Sequence, residues 1–81
     1  MFVIGIDPHK GSHSAAVLDE AEELVGELRV RAGRRQREEL AEFASRFEPR
    51  CWAIEGASGM GALLAQQLVA AGETVLSGPV C

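Results

Sequence analysis

Two acidic residues of this chain each follow an apolar, strand-like segment directly. Asp7 comes after residues 2–6, and Glu55 comes after residues 51–54. A carboxylate at the end of a buried strand has a rigid backbone beneath it and a side chain that reaches solvent. Two such carboxylates side by side offer the hard oxygen ligands that Mg²⁺ and Mn²⁺ prefer. The pair therefore predicts metal-assisted phosphate chemistry, with Asp7 and Glu55 as metal ligands and catalytic residues.

Four more residues are candidates for contact with nucleic-acid phosphates: His9, Lys10, Arg34 and Arg35. His9 and Lys10 follow the first acid, so either could approach a phosphate or orient a metal-bound water; an ordinary surface turn would also explain them. Arg34 and Arg35 belong to a basic cluster, and cations that neutralise phosphates give salt-dependent affinity. A solvated surface would explain this cluster too. Its members are Arg29, Arg31, Arg34, Arg35 and Arg37.

The glycine-rich residues 56–61 admit two interpretations. They lack the Gly-Lys-Ser/Thr ending of a P-loop and the glycine order of the dinucleotide-binding fingerprint. A helix that starts here could still bind a phosphate through its free backbone N–H groups. We favour the simpler interpretation, in which the glycines let the chain turn sharply after Glu55 and let the next helix pack close to the sheet.

Length and charge limit the number of domains and the kinds of partner that this chain can have. The chain has 81 residues, enough for one domain with a small core, and a formal net charge of −4. Nucleic-acid modules are usually basic, so this balance argues against a self-sufficient DNA-binding domain. The two cysteines form no CxxC pair, the apolar runs are far shorter than the ~20 residues of a membrane span, and no signal peptide is evident. We therefore expect a reduced, cytoplasmic protein without a membrane segment.

Three strands are predicted in the first part of the chain. The apolar run at residues 2–6 is typical of a strand covered on both faces, and the proline that follows Asp7 predicts that the strand ends there. Residues 12–19 form a second strand. Residues 24–32 alternate between apolar and polar side chains, with one slip at Gly26, which indicates a strand with one wet face.

Helices and strands alternate in the second part. Leu40, Phe43, Ala44 and Phe47 recur at three- and four-residue steps, which predicts an amphipathic helix that Pro49 ends. A strand at residues 51–54 follows, and its tryptophan, with the two phenylalanines of the helix, should belong to the core.

A second helix and a last strand complete the prediction. Ser58 would be the N-cap of this helix, Leu64, Leu68 and Ala71 its buried line, and Gly72 the residue with positive φ at its end. The last strand would cover residues 74–76 and stop before Gly78-Pro79. The first three strands should be antiparallel, because their turns are short, and the final strand–helix–strand unit should be parallel.

This order of elements is the topology of ribonuclease-H-like folds, and local motifs sharpen the resemblance. Residues 5–13 resemble the N-terminus of the RuvC-like DEDD transposases of the IS110 type, and residues 52–56 and 59–61 resemble the same proteins. Further similar segments are residues 64–65 and 68–75. The corresponding sequences are GIDPHKGSH, WAIEG, GMG, LA and LVAAGETV.

The resemblance implies an α/β, ribonuclease-H-like fold with a truncated five-stranded mixed sheet, in which the first and fourth strands are adjacent and parallel. On this pattern Asp7 and Glu55 are the first two acids of a DEDD metal site that uses Mg²⁺ or Mn²⁺. Residues 1–81 would be the N-terminal part of the catalytic domain of a transposase that cuts and transfers DNA. Such a fragment should be inactive alone. The implied partners are DNA, a structured guide RNA and further copies of the chain.

Two alternatives remain open at this point. A sugar-kinase or actin-like ATPase half-domain also begins with an apolar strand, Gly-Ile-Asp and a hairpin, although such folds usually carry a Gly-Thr/Ser turn after the acid. The fold could also serve as a non-catalytic oligomerising module, because the last strand would expose an edge that invites pairing.

Overall fold

A computed structural model describes residues 1–55 and 61–77. Within these residues, three strands are followed by a helix, a strand, a second helix and a last strand, in the predicted order. The strands are β1 (Phe2–His9), β2 (Ser12–Leu18), β3 (Leu24–Arg31), β4 (Arg50–Ile54) and β5 (Val75–Ser77). The helices are α1 (Gln36–Ala44) and α2 (Ala62–Ala70).

The five strands form one mixed sheet in the order β3-β2-β1-β4-β5. The pairs β1–β2 and β2–β3 are antiparallel, whereas β1–β4 and β4–β5 are parallel. The ribonuclease-H-like α/β topology predicted from the sequence is therefore confirmed, including the central parallel pair of β1 and β4. The helices connect β3 to β4 and β4 to β5, as parallel strands require.

The first strand is longer than predicted. β1 does not end at Asp7 but continues to His9, paired with β2 along its length. The prediction was wrong because a proline prevents a helix without preventing extended backbone. Pro8 can remain in the strand because β4 has already ended at Ile54, so β1 is locally an edge strand, where a missing N–H is tolerated.

The core lies between the helices and one face of the sheet. Trp52 is fully buried at its centre. The other buried apolar side chains of this cluster are Ile4, Ile6, Ala15, Val17, Val30, Leu40, Phe43, Ala44, Ile54, Leu64 and Leu68. Residues that alternate with these along the strands lie on the opposite face, which neither helix covers. The expectation that β1 is covered on both faces is therefore not met within the described residues.

Helix α1 packs through the predicted stripe but ends earlier than expected. Leu40, Phe43 and Ala44 are buried, and the helix stops at Ala44, well before the proline that was expected to end it. Phe47 lies beyond the helix and still packs against Phe43, with ring centroids 5.5 Å apart. A Cβ on Gly26 would lie 3.0 Å from Cζ of Phe47, so the slip in the alternation of β3 makes room for this aromatic ring.

Helix α2 starts later than predicted. It begins at Ala62, after Gly61, and the proposed N-cap Ser58 lies outside the described residues. Leu64 and Leu68 are buried as expected, but Ala71 is exposed because the helix has already ended there. Gly72 has a φ of +87°, as predicted for the residue after the helix. Residues 78 and 79, expected to end the last strand, also lie outside the described part of the chain.

A buried polar chain connects the sheet to both helices. Nε2 of His13 lies 2.9 Å from Oε1 of Gln36, and Nε2 of Gln36 donates to Oε1 of Gln67 at 2.8 Å. His13 and Gln36 are each only 3% exposed. Because a buried polar group without a partner is costly, these hydrogen bonds favour one placement of α1 and α2 over β2.

Candidate metal and nucleic-acid site

Asp7 and Glu55 lie at the same end of the sheet on neighbouring strands. β1 and β4 pair in parallel with Ile6 opposite Ile54, so the two acids come next on each strand. The backbone N–H of Glu55 donates to the Ile6 carbonyl at 3.2 Å, which holds Glu55 beside Asp7. Both acidic residues are exposed. The strand pairing that a shared site requires is present, and the role of the pair as metal ligands stays a prediction.

His9 contacts the first acid. It lies two residues after Asp7 on the same face of β1, and its Nε2 is 3.3 Å from Oδ2 of Asp7. The two side chains are 46% and 63% exposed, so this contact adds little to stability. It does place Nε2 of His9 against the Asp7 carboxylate oxygen that a cation would approach.

The donor set matches a hard divalent cation in kind and supplies part of a coordination sphere. Mg²⁺ is commonly held by one or two carboxylates together with waters and substrate phosphates, and Asp7 and Glu55 offer two carboxylates. Within residues 1–55 and 61–77, no group of three or more His, Cys, Asp or Glu side chains is placed to hold an ion. The remaining ligands would therefore come from water, from substrate or from other residues.

Three cations lie at the end of the sheet that carries Asp7 and Glu55. Lys10 is exposed in the short turn between β1 and β2. The carbonyl of Gly11 in that turn accepts a hydrogen bond from the N–H of Ala32 at 3.0 Å, which draws the segment bearing Arg34 and Arg35 toward it. Arg34 and Arg35 are both exposed. The four predicted nucleic-acid contacts thus lie at the end of the sheet that carries Asp7 and Glu55.

The opposite end of the sheet is acidic. The turn between β2 and β3 carries Asp19, Glu20, Glu22 and Glu23. Oδ1 of Asp19 accepts hydrogen bonds from the backbone N–H groups of Ala21 and Glu23, at 2.9 and 3.0 Å. All four acidic side chains belong to this short connection between β2 and β3. The net charge of −4 therefore hides a separation of charge along the strands.

Comparison with known proteins decides the family. The family model for DEDD transposases of the IS110 type, described as a transposase, matches residues 4–79. The chain belongs to this family. Searches of curated proteins and of solved structures gave no significant match. The resemblance stated from the sequence motifs is confirmed, and the match favours a transposase over a sugar-kinase or actin-like ATPase.

Membership of the family connects this transposase chain to DNA transposition in general. The family uses divalent metal ions and interacts with DNA. Both helices of the described residues have nine residues. None of the helices described here combines the length and the hydrophobicity needed to cross a membrane.

A second polar cluster of the transposase chain, which the sequence did not predict, lies at the end of the sheet opposite Asp7. Nε and a terminal nitrogen of Arg50 donate to the two carboxylate oxygens of Glu73 at 3.0 and 2.9 Å. The indole N–H of Trp52 donates to the same carboxylate at 2.7 Å. Arg50 also donates to the carbonyl oxygens of Ala44 and Phe47. The only signal in the sequence was that Arg50 lies at the start of one strand and Glu73 just before the neighbouring parallel strand.

The environment of Glu73 changes its acidity. Burial raises the pKa of its carboxyl, but the hydrogen bonds from Arg50 and Trp52 and the charge of Arg50 outweigh this, so the pKa lies below the ordinary value of 4.5. The hydrogen bond to Glu73 is in turn the largest cause that raises the pKa of Arg50. Glu73 is thus an ionised carboxylate that accepts hydrogen bonds from Arg50 and Trp52, and these bonds join the connection between α2 and β5 to β4.

Gly61 lets the start of helix α2 lie close to the end of the sheet that carries Asp7 and Glu55. A Cβ at this position would lie 2.7 Å from Cγ2 of Ile54, 3.1 Å from Cγ of Pro8 and 3.4 Å from the carbonyl oxygen of Glu55. This supports the close-packing interpretation for the last glycine of residues 56–61. The others, residues 56–60, lie outside the described part of the chain.

Proposed function

We propose that Asp7 and Glu55 hold a divalent cation, Mg²⁺ or Mn²⁺, in the catalytic domain of a DNA transposase and contribute to strand cleavage and transfer. The observation that supports this most is the parallel pairing of β1 with β4, which sets two exposed acids side by side. Residues 1–81 would then be the N-terminal part of a RuvC-like catalytic domain.

The two carboxylates and the histidine would have separate tasks. A bound divalent cation neutralises charge on phosphate oxygens and activates a water at neutral pH. Asp7 and Glu55 would hold the ion through their oxygens from rigid strand ends. His9, in contact with Oδ2 of Asp7, would orient that carboxylate.

The chain by itself would cleave no DNA. Two carboxylates hold a single ion loosely, whereas clamping both the attacking and the leaving oxygen requires two ions about 3.5–4 Å apart. The described residues group no third acidic, His or Cys ligand with Asp7 and Glu55. We therefore expect the purified chain to bind Mn²⁺ weakly and to leave DNA intact in the presence of Mg²⁺.

His9, Lys10, Arg34 and Arg35 are proposed contacts for nucleic-acid phosphates. Their position at the end of the sheet that carries Asp7 and Glu55 supports this assignment. A structured guide RNA and a homo-oligomer remain proposals that follow from the resemblance. The oligomer can be tested by measuring the molar mass of the chain in solution, because a strict monomer would contradict it.

A titration with Mn²⁺ tests the metal site. Mn²⁺ is paramagnetic, so it should broaden the backbone amide resonances of residues near Asp7 and Glu55 in an NMR spectrum of the chain. Asp7→Asn and Glu55→Gln should each abolish this local broadening. Glu22→Gln, which removes an acid from the opposite end of the sheet, is the matched control and should leave it unchanged. Broadening centred on residues 19–23 instead would refute the proposed site.

A further inference from the structure

The two edges of the sheet differ in length. β5, at one edge, has three residues, whereas β3, at the other edge, has eight. Within residues 1–55 and 61–77, no strand pairs with the outer side of β3. A long edge strand presents a row of backbone N–H and C=O groups to any chain that can pair with it. β3 is therefore the edge of this sheet that offers the most pairing groups to a further strand.

A hydrogen bond just after β3 shows which of its backbone groups point outward. The N–H of Ala32 donates to the carbonyl of Gly11 in the turn between β1 and β2, so it points toward β2. In an antiparallel sheet the backbone groups of successive residues point alternately to one side of the strand and to the other. The N–H and C=O groups of Glu27, Arg29 and Arg31 therefore point away from β2, to the free edge.

The side chains of these same residues carry charges that the described part of the chain does not pair. Glu27, Arg29 and Arg31 are exposed, and none of them belongs to an ion pair within residues 1–55 and 61–77. Leu28 lies between the acid and the first arginine and packs, partly buried, against the core on the other face. Opposite charges on the two sides of Leu28 make β3 complementary to a reversed copy of itself.

The charges select one register for such a pair of strands. With Leu28 opposite Leu28 of a second copy, Glu27 of each chain lies opposite Arg29 of the other. The two adjacent registers that keep the outward backbone groups paired place either Glu27 opposite Glu27 or Arg29 opposite Arg29. Opposite charges across two strands stabilise the pairing, and like charges directly opposite each other destabilise it. Charge complementarity thus favours the register centred on Leu28 over both of its neighbours.

We propose that two copies of this chain associate through β3, antiparallel and with Leu28 opposite Leu28, to form one ten-stranded sheet. Each of the two pairs of Glu27 and Arg29 exchanges two backbone hydrogen bonds and forms an ion pair. The two Leu28 side chains meet on the face that carries the helices, where both are partly buried already. This inference gives the proposed homo-oligomer its surface and its register, and it does not depend on the metal site.

The dimer places both candidate metal sites on one surface. Its two-fold axis passes between the two Leu28 residues, perpendicular to the sheet, so Asp7 of each copy lies on the same face. Five strand spacings of about 4.8 Å separate β1 from β1 of the second copy, and the two Asp7 residues are therefore about 25 Å apart. The strands that carry them run in opposite directions, as the two-fold axis requires.

Molar mass and charge reversal test the interface. Light scattering after gel filtration should give twice the 8.6 kDa of one chain. Glu27→Arg and Arg29→Glu should each raise the Kd of the dimer roughly tenfold or more, because each variant sets like charges opposite each other at both pairs. An equimolar mixture of the two variants should form a dimer again, since every pair then joins an acid to an arginine. Glu22→Arg makes the same charge change in the turn before β3, and this matched control should leave the dimer unchanged.

Hydrogen exchange of the backbone amides tests the pairing itself. The amides of Glu27 and Arg29 should exchange slowly in the dimer and faster on dilution to the monomer. The amide of Leu28 points toward β2, so its exchange should change little.

The outcomes separate this interface from the other proposals. A strict monomer, a dimer that Glu27→Arg does not weaken, or variants whose mixture stays monomeric would overturn the inference. So would fast exchange of the Glu27 and Arg29 amides within a dimer, because another surface would then join the two copies while the proposed homo-oligomer stands. Local Mn²⁺ broadening at Asp7 and Glu55 reports on the metal site in every case, since these acids lie on other strands.

Discussion

The two ends of the sheet hold carboxylates in opposite circumstances. Glu73, at one end, receives hydrogen bonds from Arg50 and Trp52, and its side chain is only 20% exposed. Asp7, at the other end, is 63% exposed, and its one ion-pair contact among the described residues is with the partly exposed ring of His9. Three protein N–H groups donate to the first carboxylate, whereas the second is largely exposed to solvent.

This difference teaches how a structural acid can be told from a candidate functional one. Glu55 and Glu73 both lie next to strands of the parallel half of the sheet and next to glycines. What separates them is whether the fold itself supplies their partners. An acid that accepts hydrogen bonds from an arginine and an indole stabilises the fold, whereas an exposed acid with few hydrogen-bond partners is available to a cation.

Removing Arg50 should have the largest effect on stability. Arg50→Ala would leave the carboxylate of Glu73 with one partner and would free the carbonyl oxygens of Ala44 and Phe47. Loss of one member of a fully buried ion pair costs about 3–5 kcal/mol, and because Arg50 and Glu73 are 14% and 20% exposed we expect a loss at or below the lower end of this range. Urea denaturation followed by circular dichroism should show this decrease, and the exposed Arg46→Ala should change the unfolding free energy little. Equal effects of the two variants would contradict the contrast between the two ends.

Gly61→Ala should have the second largest effect. The added Cβ would meet Ile54 at 2.7 Å, and forcing an atom into a packed contact costs about 1–3 kcal/mol. Because the contact lies beside Glu55, the variant should also weaken the local Mn²⁺ broadening. Gly33→Ala is the matched control, since a Cβ there would meet nothing within 4 Å. If both alanines were tolerated equally, the close approach of α2 to the sheet would be refuted.

The pH dependence of stability should identify Glu73 as a structural acid. Its pKa in the folded chain lies below the ordinary value of 4.5, so its contribution to stability is complete above pH 4.5 and is lost as the pH falls through the folded-state pKa. The difference in unfolding free energy between the unmodified chain and Glu73→Gln should therefore be constant near neutral pH and shrink below pH 4.5. A difference that grew on acidification would have the wrong sign.

Asp7→Asn and Glu55→Gln should have the smallest effect on stability. Exposed side chains away from buried networks change the unfolding free energy by about 0.5 kcal/mol or less. The thermal unfolding midpoints of both variants should therefore match that of the unmodified chain, although Mn²⁺ no longer binds. A large destabilisation by either substitution would place that acid with Glu73, among the structural carboxylates.

The sequence predicted the parts of the fold that depend on local patterns. Alternation and apolar runs located the five strands, and the short turns correctly made the first three antiparallel. The spacing of Leu40 and Phe43 located α1, and Gly72 marked the end of α2 with the expected positive φ. The adjacency of β1 and β4 came from the resemblance, because no local pattern specifies which distant strands pair.

The parts that were wrong or missed depend on distant contacts. Pro8 stays in β1 because β4 ends beside it, which cannot be read from its own neighbours. The hydrogen bonds from His13 through Gln36 to Gln67 join three elements, and no local pattern in the sequence indicates them. The Arg50–Glu73 pair was missed for the same reason. Asp7 and Glu55 were predicted as site residues because each follows an apolar, strand-like segment; the structure places them on neighbouring strands, and their role stays a prediction.

The separation of charge along the strands affects how the molecule meets a polyanion. The net charge of −4 means that DNA repels the chain when it is far away. At shorter range DNA repels the acidic turn and attracts the end with Lys10, so the molecule rotates. Added salt screens this field, so it should make the direction of encounter more random. The orientation in which the chain first touches DNA is thus set before any hydrogen bond forms.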